Sequence, residues 1–222
     1  MMVTVTLTII GTMYSLLVTT ALSYGLSKKS LPGRGILLII FIIPMYFSGG
    51  LIPFYLLIKN LNLMNKFVVL FLPSAVNIFY FLIIKSFFSQ LPAELEESAK
   101  MDGANDIRVF ISIVLPLSMS VLATFFLFYA VGYWNSWWNS MLFIQNPKLY
   151  TLQYVLRRMV VIDSSVSFSS TMTQQARESG LYLFEQGLRM ATVTIATIPI
   201  ICVYPFLQKY FVKGIMIGSV KG

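Results

Sequence analysis

LPAELEESAKMDGANDIRVFISIVLP, residues 91–116, is a polar island in an apolar chain. It carries Glu94, Glu96, Glu97, Asp102 and Asp106, five of the eight acidic residues of the protein. Long apolar runs leave it in both directions. A stretch this polar between two such runs has to lie outside the hydrocarbon, where something can read it.

The surrounding composition fixes the class. Of 222 residues, 57% are hydrophobic and 11% charged, and the mean hydropathy is +0.80. A soluble domain is about one quarter charged, and crossing ~30 Å of hydrocarbon takes ~20 apolar residues. Five runs meet that length, which predicts an all-α polytopic membrane protein with a single membrane domain over 1–222. The formal charge of +8 does not point to nucleic acid, because the basic residues sit in loops with no long run and fit membrane-flanking anchors. The one cysteine, Cys202, lies in an apolar run; it excludes an internal disulfide and any multi-cysteine metal site. Histidine is absent.

The predicted spans are 3–26, 36–58, 67–88, 110–131 and 188–211. The first is rich in threonine, whose hydroxyls can bond back to their own helix or across to a neighbour; it is too long for a signal-peptide core and has no basic segment before it. Lys28, Lys29, Pro32, Gly33, Arg34 and Gly35 then make a basic turn. Pro44, Gly49, Gly50 and Pro53 interrupt the second span, so a straight helix is not expected there. Asn60, Asn62 and Asn65 mark 59–66 as a loop. Pro73 stands near the start of the third span, and Pro199 and Pro205 lie in the fifth.

With the island, 89–108, on the cytoplasmic side, the inside carries Lys28, Lys29, Arg34, Lys85, Lys100, Arg108, Lys209, Lys213 and Lys221. The outside carries Lys59, Lys66, Lys148, Arg157, Arg158, Arg177 and Arg189, four of them in the long external loop 132–187, where the positive-inside rule has less force. This places the N-terminus outside and predicts one further span upstream of these residues.

Within the island, Pro92 suits a first helical turn, and Glu94, Glu96 and Glu97 sit near the positive end of the helix dipole. Leu91, Leu95, Ser98 and Met101 recur at helical spacing. Gly103 is a natural stop, and Asn105 and Asp106 can cap the next helix. The product is a short helix across the membrane face, a glycine corner and a span rising from it, with Ser98, Ala99 and Ala104 small enough for close docking.

These residues carry a resemblance. Glu97-Ser98-Ala99, three residues, Gly103, nine residues and Ile113-Val114-Leu115-Pro116 resemble the E-A-A motif of permease subunits in binding-protein-dependent ABC importers, with Ser98 for the middle alanine. ALSYGLSKKSLPGR, FSGGLIPFYLLIKNLNLMN, LPLSMSVLATFFLFYAVGYWNSWW and KGIMIGSVKG look like the carbohydrate-uptake branch, nearest the importers of oligosaccharides cut from complex polysaccharides. The resemblance implies six spans, the first absent here, in a bacterial plasma membrane. It makes the island a coupling helix in which Glu97, Ser98, Ala99, Asp102, Gly103, Ala104, Ile113, Leu115 and Pro116 couple the chain to an ATPase. It implies as partners a second permease subunit, distinct from this one, two cytoplasmic ATPase subunits that bind ATP and Mg, and an external binding protein.

The residues also argue for an outside energy source. No charged side chain lies well inside a span, as ion-coupled transport ordinarily needs, and no phosphate-binding glycine loop is present. An intramembrane enzyme would need a histidine pair, a zinc site or buried aspartates, all missing. A scaffold would explain the apolar spans but not the broken ones. The alternatives to a carbohydrate permease are a permease for another solute or part of an ion-coupled transporter.

Ser74, Asn77 and Tyr80 recur at helical spacing and could line a sugar path; alternatively Asn77 makes an interhelical hydrogen bond. Tyr133, Trp134, Trp137 and Trp138 cluster where the fourth span ends, either to stack on sugar or to form an interfacial belt.

Overall fold

The computed structural model describes residues 1–47 and 49–166, the last seven of these as backbone only, together with ten positions between 187 and 201. The 188–211 span and Cys202 therefore fall largely or wholly outside the described residues. Among the described residues every regular element is helical. The order is α1 (Met2–Ser27), α2 (Arg34–Tyr46), α3 (Leu51–Asn60), α4 (Ile78–Phe88), α5 (Ala93–Met101), α6 (Asp106–Val109), α7 (Leu115–Leu117), α8 (Met119–Trp134), α9 (Trp138–Phe143) and α10 (Leu152–Val166).

α1 is the axis of the molecule. Its 26 residues reach about 39 Å at 1.5 Å per residue, enough to cross a bilayer unbroken. It packs against α8 and α4. The face it buries is hydroxyl-rich: Thr4, Leu7, Gly11, Thr12, Ser15, Thr19 and Ser23 are all buried. Lipid gives no hydrophobic gain for pairing helices, so small side chains and cross-helix hydrogen bonds do that work. Ser15 Oγ lies 2.7 Å from the Tyr133 hydroxyl and Thr19 Oγ1 2.7 Å from that of Tyr129, both on α8. Ser23 donates to the Phe81 carbonyl of α4 at 3.2 Å, while Thr8 bonds back to Thr4 in its own helix at 2.8 Å. Both threonine behaviours anticipated from the sequence occur.

The interrupted second span is two helices. α2 contains Pro44 and ends at Phe47, and α3 resumes after Gly50, whose φ of +87° favours glycine. α2 fully buries no side chain; Leu38, Phe41 and Ile42 are half-buried, Phe41 against Phe81 of α4, and the rest of its apolar surface is exposed, as suits a helix in lipid rather than water.

The segments expected as the third and fourth spans are bent helix pairs. Residues 67–74 form two 3-10 turns instead of α-helix, and the segment Phe67–Ser74 meets α4 at 52°. Asp106–Leu117 meets α8 at 82°, with a π-helical turn at Phe110–Val114. Pro116 explains the elbow. Its ring lacks the N–H for an i−4 bond and crowds the preceding turn, which widens. Ser118 then closes the break, its N–H shared between the Val114 and Leu115 carbonyls at 3.1 Å each and its hydroxyl donating to Val114 at 2.7 Å.

Two apolar clusters fill the bundle. One, at the island end, joins Tyr24, Ile84, Phe88, Val109, Val114, Leu122 and Phe125. The other, at the opposite end, joins Leu7, Ile58, Val69, Leu70, Phe71, Tyr129, Tyr133, Phe143 and Ile144.

Candidate functional site

At the island end, α5 lies between two designed stops. Pro92 precedes its first turn, with Glu94 and Glu96 near the positive end of its dipole. At its other end Gly103 has φ +82°. The Gly103 N–H donates to the Lys100 carbonyl at 3.0 Å and the Ala104 N–H to the Ala99 carbonyl at 2.9 Å. That pair of bonds is a Schellman motif, which glycine at this position permits without strain. Two residues later the Asn105 side chain accepts from the Arg108 N–H at 2.8 Å and starts α6. The corner anticipated at Gly103 is present, and so is the asparagine cap.

The small residues divide differently from the sequence expectation. Ala99 and Ala104 pack against the apolar cluster beneath α5, so they seat the helix on its own bundle. Glu97, Ser98, Met101 and Asp102 are exposed, Met101 at 88%. Ser98 bonds only back to the Leu95 carbonyl, at 3.2 Å. Ile113 and Leu115 are half-buried at the elbow, Leu115 against the same cluster, and Pro116 is exposed.

Two contacts tie α5 to its surroundings. Lys28, just after α1, donates to Glu96 and stands 4.3 Å from the Tyr24 ring centre. Tyr24 stacks on Phe110 at 4.7 Å and donates to the Asp106 carbonyl at 3.3 Å. Lys100 donates to Asp106 at 2.8 Å across the glycine corner. That hydrogen bond, and the ammonium charge beside it, hold the Asp106 carboxyl below the usual carboxylate range and raise Lys100. α5 is therefore fastened at both ends, leaving its acidic, methionine-bearing side outward.

At the opposite end a cleft of about 310 Å³ is lined by Ser74, Asn77, Tyr80, Tyr129, Tyr133, Trp137, Trp138 and Asn139, among others. Ser74, Asn77 and Tyr80 meet there, though not by sharing a helical face. The helix is broken between Ser74 and Asn77, and Asn77 is the cap of α4, its side chain accepting from the N–H groups of Phe79 at 3.0 Å and Tyr80 at 3.2 Å. Its own N–H donates to the Tyr129 hydroxyl at 3.1 Å. An amide read as lying near the middle of a span thus sits at a helix start, where capping satisfies donors the break would otherwise orphan. Asn139 donates to the Leu70 carbonyl at 3.3 Å.

The aromatic cluster splits in two. Tyr133, Trp137 and Trp138 line the cleft. Trp134 is turned away, its indole N–H donating to the Ala196 carbonyl at 3.0 Å. The residue sequence reasoning missed is Arg157, whose guanidinium carbon stands 3.6 Å from the Trp137 ring centre. Its signal was faint: an arginine pair, Arg157 and Arg158, in a helix of mostly apolar residues in the long loop. Among the described residues no group of His, Cys, Asp or Glu could hold a metal ion.

With this geometry in place, comparison with known proteins gives a consistent result. Residues 2–217 match the family described as binding-protein-dependent transport system inner membrane component. Protein LplC of Bacillus subtilis (strain 168) is 47% identical over 99% of this chain and 73% of its own length. The polygalacturonan/rhamnogalacturonan transport system permease protein YtcP of the same organism is 43% identical over the whole chain and 76% of its own. A solved bacterial ABC transporter involved in the import of the acidic polysaccharide alginate superposes with TM-score 0.82 at 29% identity, over 94% of this chain and 73% of that one.

Proposed function

The chain belongs to the family of binding-protein-dependent transport system inner membrane components, and on that premise we propose how its two ends divide the work of an ATP-driven importer. It is a permease subunit and not an enzyme. The island end faces the cytoplasm, and α5 docks in a cleft of an ATPase subunit. ATP and Mg are bound by that partner. Closure of the ATPase pair pushes α5, and the Gly103 corner and Ser118 elbow carry the displacement into α8. The cleft at the opposite end faces outward and lines half of the path for an oligosaccharide. A second permease, distinct from this chain, supplies the other half, and a binding protein outside a bacterial plasma membrane delivers the cargo.

The single observation that supports this most is the construction of α5: a short exposed helix seated by Ala99 and Ala104 and stopped by Gly103. A lone interfacial helix has no use for two such stops. The carbohydrate reading is supported by the cleft, where amides, hydroxyls and aromatic rings meet, and by the relatives' own cargo, polygalacturonan for YtcP and alginate for the solved importer.

The test is uptake into vesicles holding the full assembly. Import should need ATP and stop when the ATPase subunits are left out. Ala99→Arg, which forces a charge into the seat of α5, should abolish uptake and binding-protein-stimulated ATP hydrolysis while the chain still inserts. Uptake on an ion gradient without the ATPase would overturn the importer reading, and wild-type uptake by Ala99→Arg would overturn the role of α5.

A further inference from the structure

Trp137 stands between two hollows. One is the cleft already described, about 310 Å³. The other, about 480 Å³, is lined by Asn135, Trp137, Gln153, Leu156, Arg157, Val193, Ala196 and Thr197. Asn135 borders both hollows, and it accepts from Gln153 at 3.3 Å. The two adjoin at Trp137, whose indole stands on their dividing wall with a guanidinium stacked on it.

The stack leaves Arg157 with work to do. A guanidinium lying on a ring is held by its face, and its N–H edge stays able to grip a carboxylate with two parallel bonds. Arg157 is exposed, and neither ion pair among the described residues involves it. Because the ring fixes the side chain in advance, little rotamer freedom is lost when a ligand binds.

Among the described residues Arg157 is the one charged side chain that lines either hollow, and a fixed positive charge there raises the local concentration of anions.

We infer that the hollow beside Arg157 takes an acidic oligosaccharide, with a uronate unit at the Trp137 wall and its carboxylate gripped by the free N–H edge of Arg157. Ring hydroxyls meet the amides of Asn135 and Gln153. This rests on the permease reading and adds to it the charge of the cargo and the residue that reads that charge.

The test uses the complete importer in vesicles with its binding protein, and two probes of equal length: a trimer of galacturonic acid and its fully methyl-esterified form. The readout is the ratio of acid to ester uptake in each variant, divided by the same ratio in the wild type, so that selection by the binding protein cancels. Arg157→Gln should lower the ratio about tenfold, the size of a lost charge-assisted contact. Arg157→Lys keeps the charge but not the paired geometry and should lower it about threefold; it also serves if the glutamine variant does not assemble. An unchanged ratio in either variant would make Arg157 a packing residue and overturn the inference while leaving the importer intact. ATP-driven wild-type uptake confined to uncharged oligosaccharides would do the same. No ATP-driven uptake of any oligosaccharide would instead remove the carbohydrate reading of the permease, and this inference with it.

Discussion

The island end turns its corners with bonds between near neighbours, whereas the cleft end adds to its local cap at Asn77 bonds between distant segments. At the island, Gly103 answers Lys100, Ala104 answers Ala99, and Asn105 answers Arg108. At the cleft, Asn77 answers Tyr129, 52 residues on, Ser15 meets Tyr133, 118 residues on, and the Leu152 N–H donates to the Thr4 hydroxyl, 148 residues back, at 2.8 Å. A corner made locally holds its shape while the element carrying it moves, which suits a part that is pushed. A site made from distant segments changes shape when those segments shift, which suits a site that must open and close.

The comparison can be broken at its strongest point first. Gly103→Pro fixes φ near −65° where +82° is needed and removes the N–H that bonds Lys100. Uptake in vesicles should fall at least about a hundredfold, since a misplaced coupling element costs that much in rate, while the chain still reaches the membrane. Retained uptake would mean that the local corner is dispensable.

Gly11→Leu attacks what the two ends share. A Cβ at Gly11 would stand 3.0 Å from the Tyr133 ring, so a larger side chain wedges α1 from α8. The expected loss is about 2–3 kcal/mol of stability, read as a lower unfolding temperature of the purified assembly in detergent. Wild-type stability would show that the close approach of these helices is not needed.

Tyr129→Phe sharpens the difference by touching the cleft alone. It strips a partner from the Asn77 N–H and from Thr19 and should cost about 1–2 kcal/mol. Hydrogen exchange should quicken at residues 77–80 and stay as in the wild type over 93–104. Equal quickening at both ends would contradict their independence.

The smallest effect is the Lys100–Asp106 pair. The folded pKa of Asp106 is depressed, so its contribution is present above the ordinary carboxylate range and fades as pH falls through the lowered value. That of Lys100 is raised, so its contribution is full below the ordinary lysine range and fades as pH rises through the raised value. Both groups are exposed, and salt screens such pairs. Asp106→Asn should therefore lower the unfolding temperature slightly at neutral pH and low salt, and match the wild type in acid or high salt. A difference that persists in acid would place the contribution elsewhere.

How much was legible follows from the same contrast. The Gly103 stop and the Asn105 cap could be anticipated because each is settled within five residues. The breaks at Pro44–Pro53 were legible too, since proline and glycine act on their own turn. The 82° elbow at Ser118 was not: Pro116 announces a kink but not its size, which depends on how α8 packs on α1. Ser74, Asn77 and Tyr80 were singled out together by helical spacing, yet the structure gathers them by breaking that helix.

Composition and local chemistry alone determined that this is a helical membrane protein with a built corner between two spans, because apolar length and backbone conformation are properties of short stretches. Tertiary structure alone decided that Ala99 and Ala104 face inward, that Trp134 leaves the aromatic cluster, and that Arg157 lies on Trp137. Those facts depend on which distant side chains α1 brings together through its hydroxyl face, and in lipid that pairing is set by close fit and hydrogen bonds rather than by hydrophobic pattern.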